Sequence, residues 1–513
     1  MSKQRLALLA VLAGLLAVCS AQKLKVRPAA VAGGFYPADP KELARTVDEL
    51  VARAQPPALS EAPTALIVPH AGYMYSGAVA GQAYALLKGR KYERVVVIAP
   101  SHIDAFPFAA IYDGDAYATP LGSVPVDKAF AQRLAKAGSG IQISSRGHAV
   151  SGDRGEHALE IQLPFLQRVL GQFELVPVIM GDQRYEACRS LGVALAKTVQ
   201  ATATLIVASS DLSHFHPYEE AVRLDRRVLK AIEEWDYYTM ARNFEQNLWE
   251  ACGGGPIVAA MIAAERLGAR QARLLKYANS GDVTGDRSRV VGYGAVALLK
   301  AAKASGDGEA RSGGGFALNA KEQEELLWLA RKSVETAVRE RKLYECPAPR
   351  LASLVEDRGA FVTLKRQGRL RGCIGYVFPM KPLYLTVRDV AALAAVRDER
   401  FPPVGTAELD QLQYEVSVLS PLRRVLDVKE IIVGRHGLVV KKGDHEGLLL
   451  PQVATEQGWD RLTFLKETCL KAGLSPNAWQ DPETDIFRFT AFVFGEHHST
   501  AAGPGPASAR AKR

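Results

Sequence analysis

Three histidines and one cysteine, spread widely along the chain, are the residues with the clearest potential for chemistry. They are His70, His102, His214 and Cys252, in the segments VPHAGY, APSH, SSDLSH and ACGGGP. Neutral imidazole binds iron, copper and zinc, and a thiolate shifts the preference towards copper or zinc while iron remains feasible. Imidazole also carries protons near neutral pH. These residue types predict a transition-metal site, acid–base chemistry, or both.

Short aliphatic runs precede the three histidine segments, at residues 65–68, 95–98 and 205–207. Uniformly apolar runs that stop at Pro or Ser indicate strands buried on both faces of a sheet. Open α/β sheets place their sites at the carboxyl ends of such strands. We therefore expect the three imidazoles and the thiol to meet at one sheet edge.

Within that group, His70, His102 and Cys252 form a three-ligand face with open positions for water, dioxygen or substrate. His214 is either a fourth metal ligand or a general base. Asp211, in the same loop as His214, is placed to orient an imidazole. The alternative is that each histidine only satisfies local hydrogen bonds.

The segment RGEHALEIQLPFLQRVL, residues 154–170, has an amphipathic pattern that predicts a helix as far as Pro164. On such a helix Glu156 and Glu160 share a face, with His157 beside them. The face is either solvated or directs Glu156 and His157 into the pocket as catalytic residues. A single histidine falls short of the HExxH motif of zinc proteases.

A chain of 513 residues predicts two domains. Residues 26–302 alternate strand and helix patterns, which predicts an α/β fold with a central sheet covered by helices. Residues 303–315 are a Gly- and Ser-rich linker. Residues 316–497 mix hairpins and helices, which predicts a separate α+β domain, and the tail over residues 498–513 is of low complexity and expected to be disordered.

In the second domain, residues 359–376 predict a β-hairpin that turns near Gln367-Gly368, and residues 455–472 predict a helix. Cys373 in this hairpin is flanked by glycines and close to Arg371. It is either a thiol with a lowered pKa or a small strand residue in a closely packed place.

The charge of the chain excludes one class of partner. The 64 Lys and Arg residues exceed the 55 Asp and Glu residues, but eight basic residues lie within the first 27 and last four positions, without an acidic residue among them. The body is nearly neutral, so a nucleic-acid partner is not expected. The six cysteines are widely separated and form no CxxC pair, which excludes a disulfide scaffold or zinc ribbon.

Residues 1–22 follow the pattern of a signal peptide, with two basic residues, an apolar run and then small residues. Cys19 is a candidate lipid-attachment residue, which would be the protein's contact with a membrane, and cleavage after Ala21 is the other option. These features predict an exported protein. The alternative is an uncleaved hydrophobic N-terminus on a cytoplasmic protein.

Two families share the motifs of this chain. Residues 26–302 resemble the Memo family through VAGGFYPADP, VPHAGYMYSG, APSH, EHALEIQLPFL, SSDLSHF and ACGGGP. Residues 316–497 resemble the AMMECR-type domain through LRGCIGYV, DERFPPV, YEVSVLSP, LLLPQVATEQGWD and KAGL. The two families recur with a radical-SAM protein in the AmmeMemoRadiSam system, as its proteins B and A. The resemblance implies a radical-SAM partner and an unidentified small-molecule or peptide substrate.

The Memo fold is similar to class III extradiol dioxygenases, which hold non-haem iron with two histidines and a carboxylate. The resemblance implies that His70 and His102 are ligands, that Cys252 replaces the carboxylate, and that His214 matches the catalytic histidine. Iron or copper is then the expected cofactor, with zinc a further option, and the expected function is that of a dioxygenase-like, metal-dependent oxidoreductase. The alternative is a non-catalytic metal- or peptide-binding docking module that uses the same pocket. Gln162 stands where family members often have a histidine.

Overall fold

The computed structural model describes residues 24–151, 154–199, 203–300 and 316–496. The predicted signal segment, linker and tail lie outside these ranges. The described residues separate into two compact units, one within Met1–Leu229 and Trp249–Ala302 and the other within Lys230–Leu248 and Lys303–Arg513. No helix in the described ranges is long and apolar enough to cross a bilayer.

Strands and helices alternate over residues 24–300. The strands are β1 (Val26–Arg27), β2 (Ala65–Val68), β3 (Arg94–Pro100), β4 (Ala109–Ile111), β5 (Ala116–Thr119), β6 (Gly122–Pro125), β7 (Ile141–Ile143), β8 (Val150–Ser151), β9 (Arg154–Gly155), β10 (Glu174–Met180), β11 (Thr204–Ser209), β12 (His214–His216), β13 (Ala269–Asn279) and β14 (Val290–Lys300). The helices are α1 (Pro40–Ala52), α2 (Tyr73–Ala85), α3 (Lys128–Ala137), α4 (Leu163–Leu170), α5 (Tyr185–Thr198), α6 (Tyr218–Glu233), α7 (Tyr237–Glu245), α8 (Gly254–Arg266) and α9 (Ser280–Thr284).

Within the described residues, the first unit is built on a nine-stranded mixed sheet, ordered β12-β14-β2-β11-β3-β10-β4-β7 with β13 paired to β14. Strands β2, β11, β3 and β10 run parallel at its centre. Strands β14 and β4 join antiparallel on either side. Parallel neighbours require crossover connections, and the α/β class predicted from the sequence is confirmed.

The central strands set the position of the candidate site. Every residue of β2 and β3 is buried, and so is β11 after Thr204, as expected for strands covered on both faces. Because β11 lies between β2 and β3 and runs parallel to both, their carboxyl ends meet at one edge. His70, His102 and Asp211 follow these three ends.

Helices α1, α2 and α4 share one apolar core with the strands. Asp39 caps α1, where its side chain accepts the N–H of Glu42 at 2.8 Å. Helix α8 is buried from Gly254 to Glu265. The short loop that precedes α8 is therefore held in place by a helix that is itself part of the interior.

The segment before α4 differs from its prediction. The structure has β9, then a 3₁₀ turn over Glu160–Gln162, and then α4. Pro164 stands in the first turn of a helix, where its missing N–H and fixed φ are favourable, and not near a helix end. Because the chain is not helical at Glu156, the predicted shared face of Glu156 and Glu160 is wrong.

Hairpins and helices are mixed over residues 316–496. The strands are β15 (Ala360–Arg366), β16 (Arg369–Tyr376), β17 (Leu412–Leu419), β18 (Arg423–Arg424), β19 (His436–Lys442), β20 (His445–Leu449) and β21 (Asp485–Gly495). The helices are α10 (Ala320–Glu340), α11 (Leu383–Val396), α12 (Pro451–Glu456) and α13 (Arg461–Lys471).

Where the structure describes it, the second unit has a seven-stranded antiparallel sheet, ordered β16-β15-β17-β21-β19-β20 with β18 paired to β21. The predicted hairpin is β15–β16, and its turn residues Gln367 and Gly368 have φ of 53° and 76°, as tight hairpin turns require. The helix predicted over residues 455–472 is two helices, because Gly458 has a φ of 66° and Asp460 caps α13. The α+β class is confirmed.

Residues 230–248 pack with this second unit, although the sequence pattern assigns them to the first domain. The ring of Tyr238 in α7 stacks on Phe487 with centroids 4.7 Å apart. Asp236 caps α7 by accepting the N–H of Thr239 at 3.2 Å, and burial raises the pKa of this carboxyl to about 6.

Candidate metal centre

The carboxyl ends of β2, β3 and β11 bring two imidazoles together. The backbone N–H of His70 donates to Asp211 Oδ1 at 2.8 Å, which ties the end of β2 to the end of β11. The rings of His70 and His102 stand edge to face with centroids 5.2 Å apart. The meeting of these two imidazoles at one sheet edge is as expected from the strand pattern.

Cys252 supplies a third donor atom. Its Sγ lies 3.1 Å from His70 Nε2, and the donor atoms of His70, His102 and Cys252 all lie within 4.8 Å of one another. Metal–nitrogen bonds of about 2.0 Å and metal–sulfur bonds of about 2.3 Å allow one ion to reach all three. The His70 side chain is 1% exposed and that of His102 31%. The donor set fits a transition metal with one side open to solvent.

Glu156 fixes the orientation of His102. Its carboxylate accepts the His102 backbone N–H at 2.5 Å and the ring Nδ1–H at 2.9 Å, which leaves Nε2 for a metal. Burial disfavours the charged forms of Glu156 and His102, but the hydrogen bond and the attraction between the two side chains together have the larger effect. They lower the pKa of Glu156 to about 2 and raise that of His102. Glu156 is therefore committed to His102, and a catalytic role for it stays a prediction.

Contacts on two sides hold the Cys252 loop. The thiol sulfur accepts the N–H of Asp211 at 3.2 Å, and Gln183 donates to the Cys252 carbonyl at 3.0 Å. A Cβ on Gly253 would lie 2.2 Å from the Ser209 carbonyl oxygen, so this approach to β11 requires glycine. Burial raises the pKa of the Cys252 thiol, and the negative charge of Asp211 adds to the effect. The thiolate form needs a cation beside it.

A third imidazole at the open side belongs to His157. Its ring stacks on His102 with centroids 4.7 Å apart and stands edge-on to His70 at 5.4 Å. Phe35 contacts the same ring with centroids 4.7 Å apart. Burial, followed by repulsion from His70, lowers the pKa of His157 to about 4. At neutral pH an uncharged imidazole, and a weak base, therefore lies beside the three donors.

His214 does not join the cluster of donor atoms, although its charge acts on His70 and Asp211. It lies on β12, which pairs with the start of β14. Among the described residues there are two clusters of potential metal ligands, His70–His102–Cys252 and His102–Glu156–His157, and His214 belongs to neither. Its suggested place as a fourth ligand gains no support from this position, and its acid–base role stays a prediction.

Asp211 acts on the backbone and not on an imidazole nitrogen. It accepts the N–H groups of His70 and Ala71 at 2.8 and 3.3 Å. Its second oxygen lies 4.0 Å from His70 Nε2, beyond hydrogen-bond distance. Asp211 therefore fixes the chain that carries the first ligand.

Ser209, the last residue of β11, is a site residue that the sequence patterns did not identify. Its Oγ lies 2.9 Å from Nδ1 of His70. Gln162, which the sequence suggested only as the loss of an imidazole, donates to the Ser209 hydroxyl at 2.8 Å. The available signal was the motif SSDLSH, in which Ser209 comes directly before Ser210 and Asp211.

Cys373 of the second unit lies on β16, and its surroundings favour a packing role. The Arg371 guanidinium binds Glu408 through two hydrogen bonds of 2.9 and 3.0 Å, so its charge is already paired. Thr363 donates its hydroxyl to the Cys373 sulfur at 3.2 Å. The neighbouring Gly372 has no room for a side chain, since a Cβ would lie 2.2 Å from the Ala394 carbonyl oxygen.

Replacement of Gly372 by alanine should therefore destabilise the second unit by about 1–3 kcal/mol through overpacking. The measurement is amide hydrogen exchange of β15 and β16 in the full chain, which should become about tenfold to a hundredfold faster. Gly405→Ala is the matched control, because its Cβ would meet nothing closer than 3.6 Å at a φ of −85°. Equal exchange rates in Gly372→Ala and Gly405→Ala would contradict the close packing of β16 at Gly372.

Two family models match the chain in succession. The model described as Memo-like protein matches residues 27–297, and the AMMECR1 model matches residues 327–494. A MEMO1 family protein of Methanopyrus kandleri is 37% identical over 285 residues, which cover 53% of this chain and 99% of the relative. A MEMO1 family protein of Aeropyrum pernix is 40% identical over 288 residues, with coverage of 53% and 99%.

Other relatives match about a third of the chain. A protein of Thermococcus kodakarensis is 48% identical over 183 residues, which cover 34% of this chain and 89% of the relative. The solved structure of an uncharacterized protein from Pyrococcus horikoshii is 43% identical, covers 35% of this chain and 94% of its own, and has a TM-score of 0.33. Since the Memo model spans more than half of the residues, the chain belongs to the Memo family and carries an AMMECR1 domain in tandem.

Proposed function

We propose that the first domain is a metal-dependent redox protein that holds iron or copper on His70, His102 and Cys252. The observation that carries the proposal is the approach of the three donor atoms to within 4.8 Å of one another. In both histidines Nδ1 is engaged by a neighbouring side chain, which leaves Nε2 as the donor. Zinc would fit the same donor set.

Bound iron or copper would supply one-electron chemistry and an open position for dioxygen. The chain provides the surroundings for that chemistry. His102 stands at the open side, where a small substrate can approach. His157, stacked on His102, is one candidate for moving a proton, although its lowered pKa makes it a weak acceptor at neutral pH. His214 is the second candidate for that role.

One observation favours a second candidate function, that of a non-catalytic binding or docking module. The Cys252 thiol, 3.1 Å from His70 Nε2, stands where the resemblance places the carboxylate of the dioxygenases, and a thiolate changes the metal preference of the site. A pocket built in this way can hold a peptide or a metal without turnover. An exported or lipid-anchored location, which rests on the signal-peptide pattern of residues 1–22, is a further proposal. So is contact with a radical-SAM protein, which rests on the family resemblance.

The test is metal content together with oxygen consumption. Protein purified without oxygen is analysed for iron, copper and zinc, and then stripped and reloaded with one equivalent of iron(II) or copper(I). Oxygen uptake is followed with ascorbate as electron donor, and stripped protein and free metal serve as controls. We expect near-stoichiometric iron or copper and oxygen uptake above both controls.

The two candidate functions give different results in this test. Stable metal binding without oxygen uptake would favour the binding module. Failure to take up iron, copper or zinc, even after reloading, would contradict the metal centre itself.

A further inference from the structure

Ser209 is a buried hydroxyl with three polar neighbours. It is fully buried at the end of β11. Its Oγ lies 2.6 Å from the Ala158 carbonyl oxygen, 2.8 Å from Gln162 Nε2 and 2.9 Å from His70 Nδ1. These three contacts use the whole hydrogen-bonding capacity of a hydroxyl, which has one proton and two lone pairs.

The neighbours determine where the single proton of Ser209 goes. The Ala158 carbonyl can only accept, so Ser209 donates to it. The amide of Gln162 is fixed in turn, because its oxygen accepts from Tyr84 at 2.8 Å and its nitrogen donates to the Pro69 carbonyl at 3.0 Å. Gln162 therefore donates to Ser209.

One lone pair of Ser209 remains, and it faces His70 Nδ1. Since Ser209 Oγ can only accept here, the hydrogen bond between Ser209 Oγ and His70 Nδ1 requires the proton to be on Nδ1. A neutral imidazole carries its proton on one nitrogen. His70 Nε2 then carries no proton, so its lone pair can bind a metal. It lies 3.1 Å from Cys252 Sγ.

We infer that Ser209, held by Ala158 and Gln162, is a positioning residue that sets the tautomer of His70 and so presents Nε2 to a metal. The consequence for metal binding rests on the proposed function. The two histidines are oriented by different chemistry, since His102 faces the carboxylate of Glu156 and His70 a neutral hydroxyl. A carboxylate raises the basicity of its imidazole more than a hydroxyl does, so His70 is the weaker electron donor of the two.

The tautomer is tested first on metal-free wild-type protein in which histidine is labelled with ¹⁵N. Long-range ¹H–¹⁵N spectra distinguish an Nδ1–H from an Nε2–H imidazole, and we expect Nδ1–H for His70. An Nε2–H signal would overturn the inference. Because this measurement uses the wild-type protein, it does not depend on whether a variant folds.

Variants then test the part played by Ser209. In Ser209→Ala we expect the Nδ1–H signal to be lost and the affinity for Co²⁺, used alone as a spectroscopic probe, to fall about tenfold to a hundredfold. Ser209→Thr keeps the hydroxyl and should retain both the tautomer and most of the affinity. An unchanged tautomer in Ser209→Ala would contradict the inference. Absence of Co²⁺ binding in wild type that shows Nδ1–H would instead contradict the metal centre.

Discussion

Replacement of Cys252 by alanine is expected to lower the affinity of the protein for iron or copper by more than about a hundredfold. Loss of a residue that merely orients a ligand costs about 10–100-fold in affinity, and Cys252 is itself a donor. It is also the one donor of the three that brings a negative charge, since His70 and His102 bind as neutral imidazoles. The remaining two nitrogens would hold an ion only weakly.

The measurement is anaerobic competition with a chromophoric chelator. Cys469→Ala is the matched control, because Cys469 is a free, buried cysteine that lies in the apolar core of the second unit. The Cys469→Ala variant also loses one buried thiol, but we expect it to bind metal as tightly as wild type. Equal affinities in Cys252→Ala and wild type would place the metal elsewhere, and equal losses in both variants would indicate damage to the fold.

Replacement of Glu160 by alanine is expected to destabilise the first unit by about 3–5 kcal/mol, the usual cost of leaving one charge of a buried pair without its partner. Glu160 binds Arg27 at 2.6 Å, and the two side chains are 0% and 2% exposed. The same carboxylate accepts from the backbone of Ala30 and Val31 and from the Tyr36 hydroxyl. All four donors would lose their acceptor inside the protein.

Hydrogen exchange of β2 and β3 in the full chain reports the stability of this unit alone. The matched control is Asp48→Ala, which breaks a pair with Arg168 of the same 2.6 Å length whose side chains are 52% and 41% exposed. Exposed pairs contribute about 0–1 kcal/mol, so the control should exchange almost as wild type does. A similar loss of stability in Glu160→Ala and Asp48→Ala would contradict the expectation that the buried pair contributes more than the exposed one.

The central sheet could be predicted because its information is local. Residues 65–68 and 95–98 are apolar without interruption, and such runs have few structures open to them other than buried strands. Parallel strands then place the residues beyond their carboxyl ends at a common edge. The approach of His70 to His102 is a consequence of that rule and needed no knowledge of tertiary contacts.

The segment around Glu156 could not be predicted in this way. Its polar positions do not form the face of a helix, because the two glutamates bind different tertiary partners. Glu156 binds His102, and Glu160 binds Arg27 near the start of the chain. Pro164 is compatible with the end of one helix or the beginning of the next, and only the tertiary structure decides between them.

The sequence offered both His157 and His214 as candidates for the pocket and could not choose between them. His157 and His214 both stand near motif residues, and nothing local distinguishes them. His157 reaches the centre because the irregular chain between β9 and α4 is anchored through Glu160. Ser209 was missed for a related reason, since the direction of a strand-end hydroxyl depends on Ala158 and Gln162, which belong to another part of the chain.

The unequal exposure of the three donors would give the proposed metal centre a preferred order of assembly. His70 is buried, Cys252 is partly exposed and His102 is the most exposed of the three. A cation that binds at the proposed centre would meet His102 first on its way in from solution. The rate at which a metal exchanges at the proposed centre would then depend most on His102.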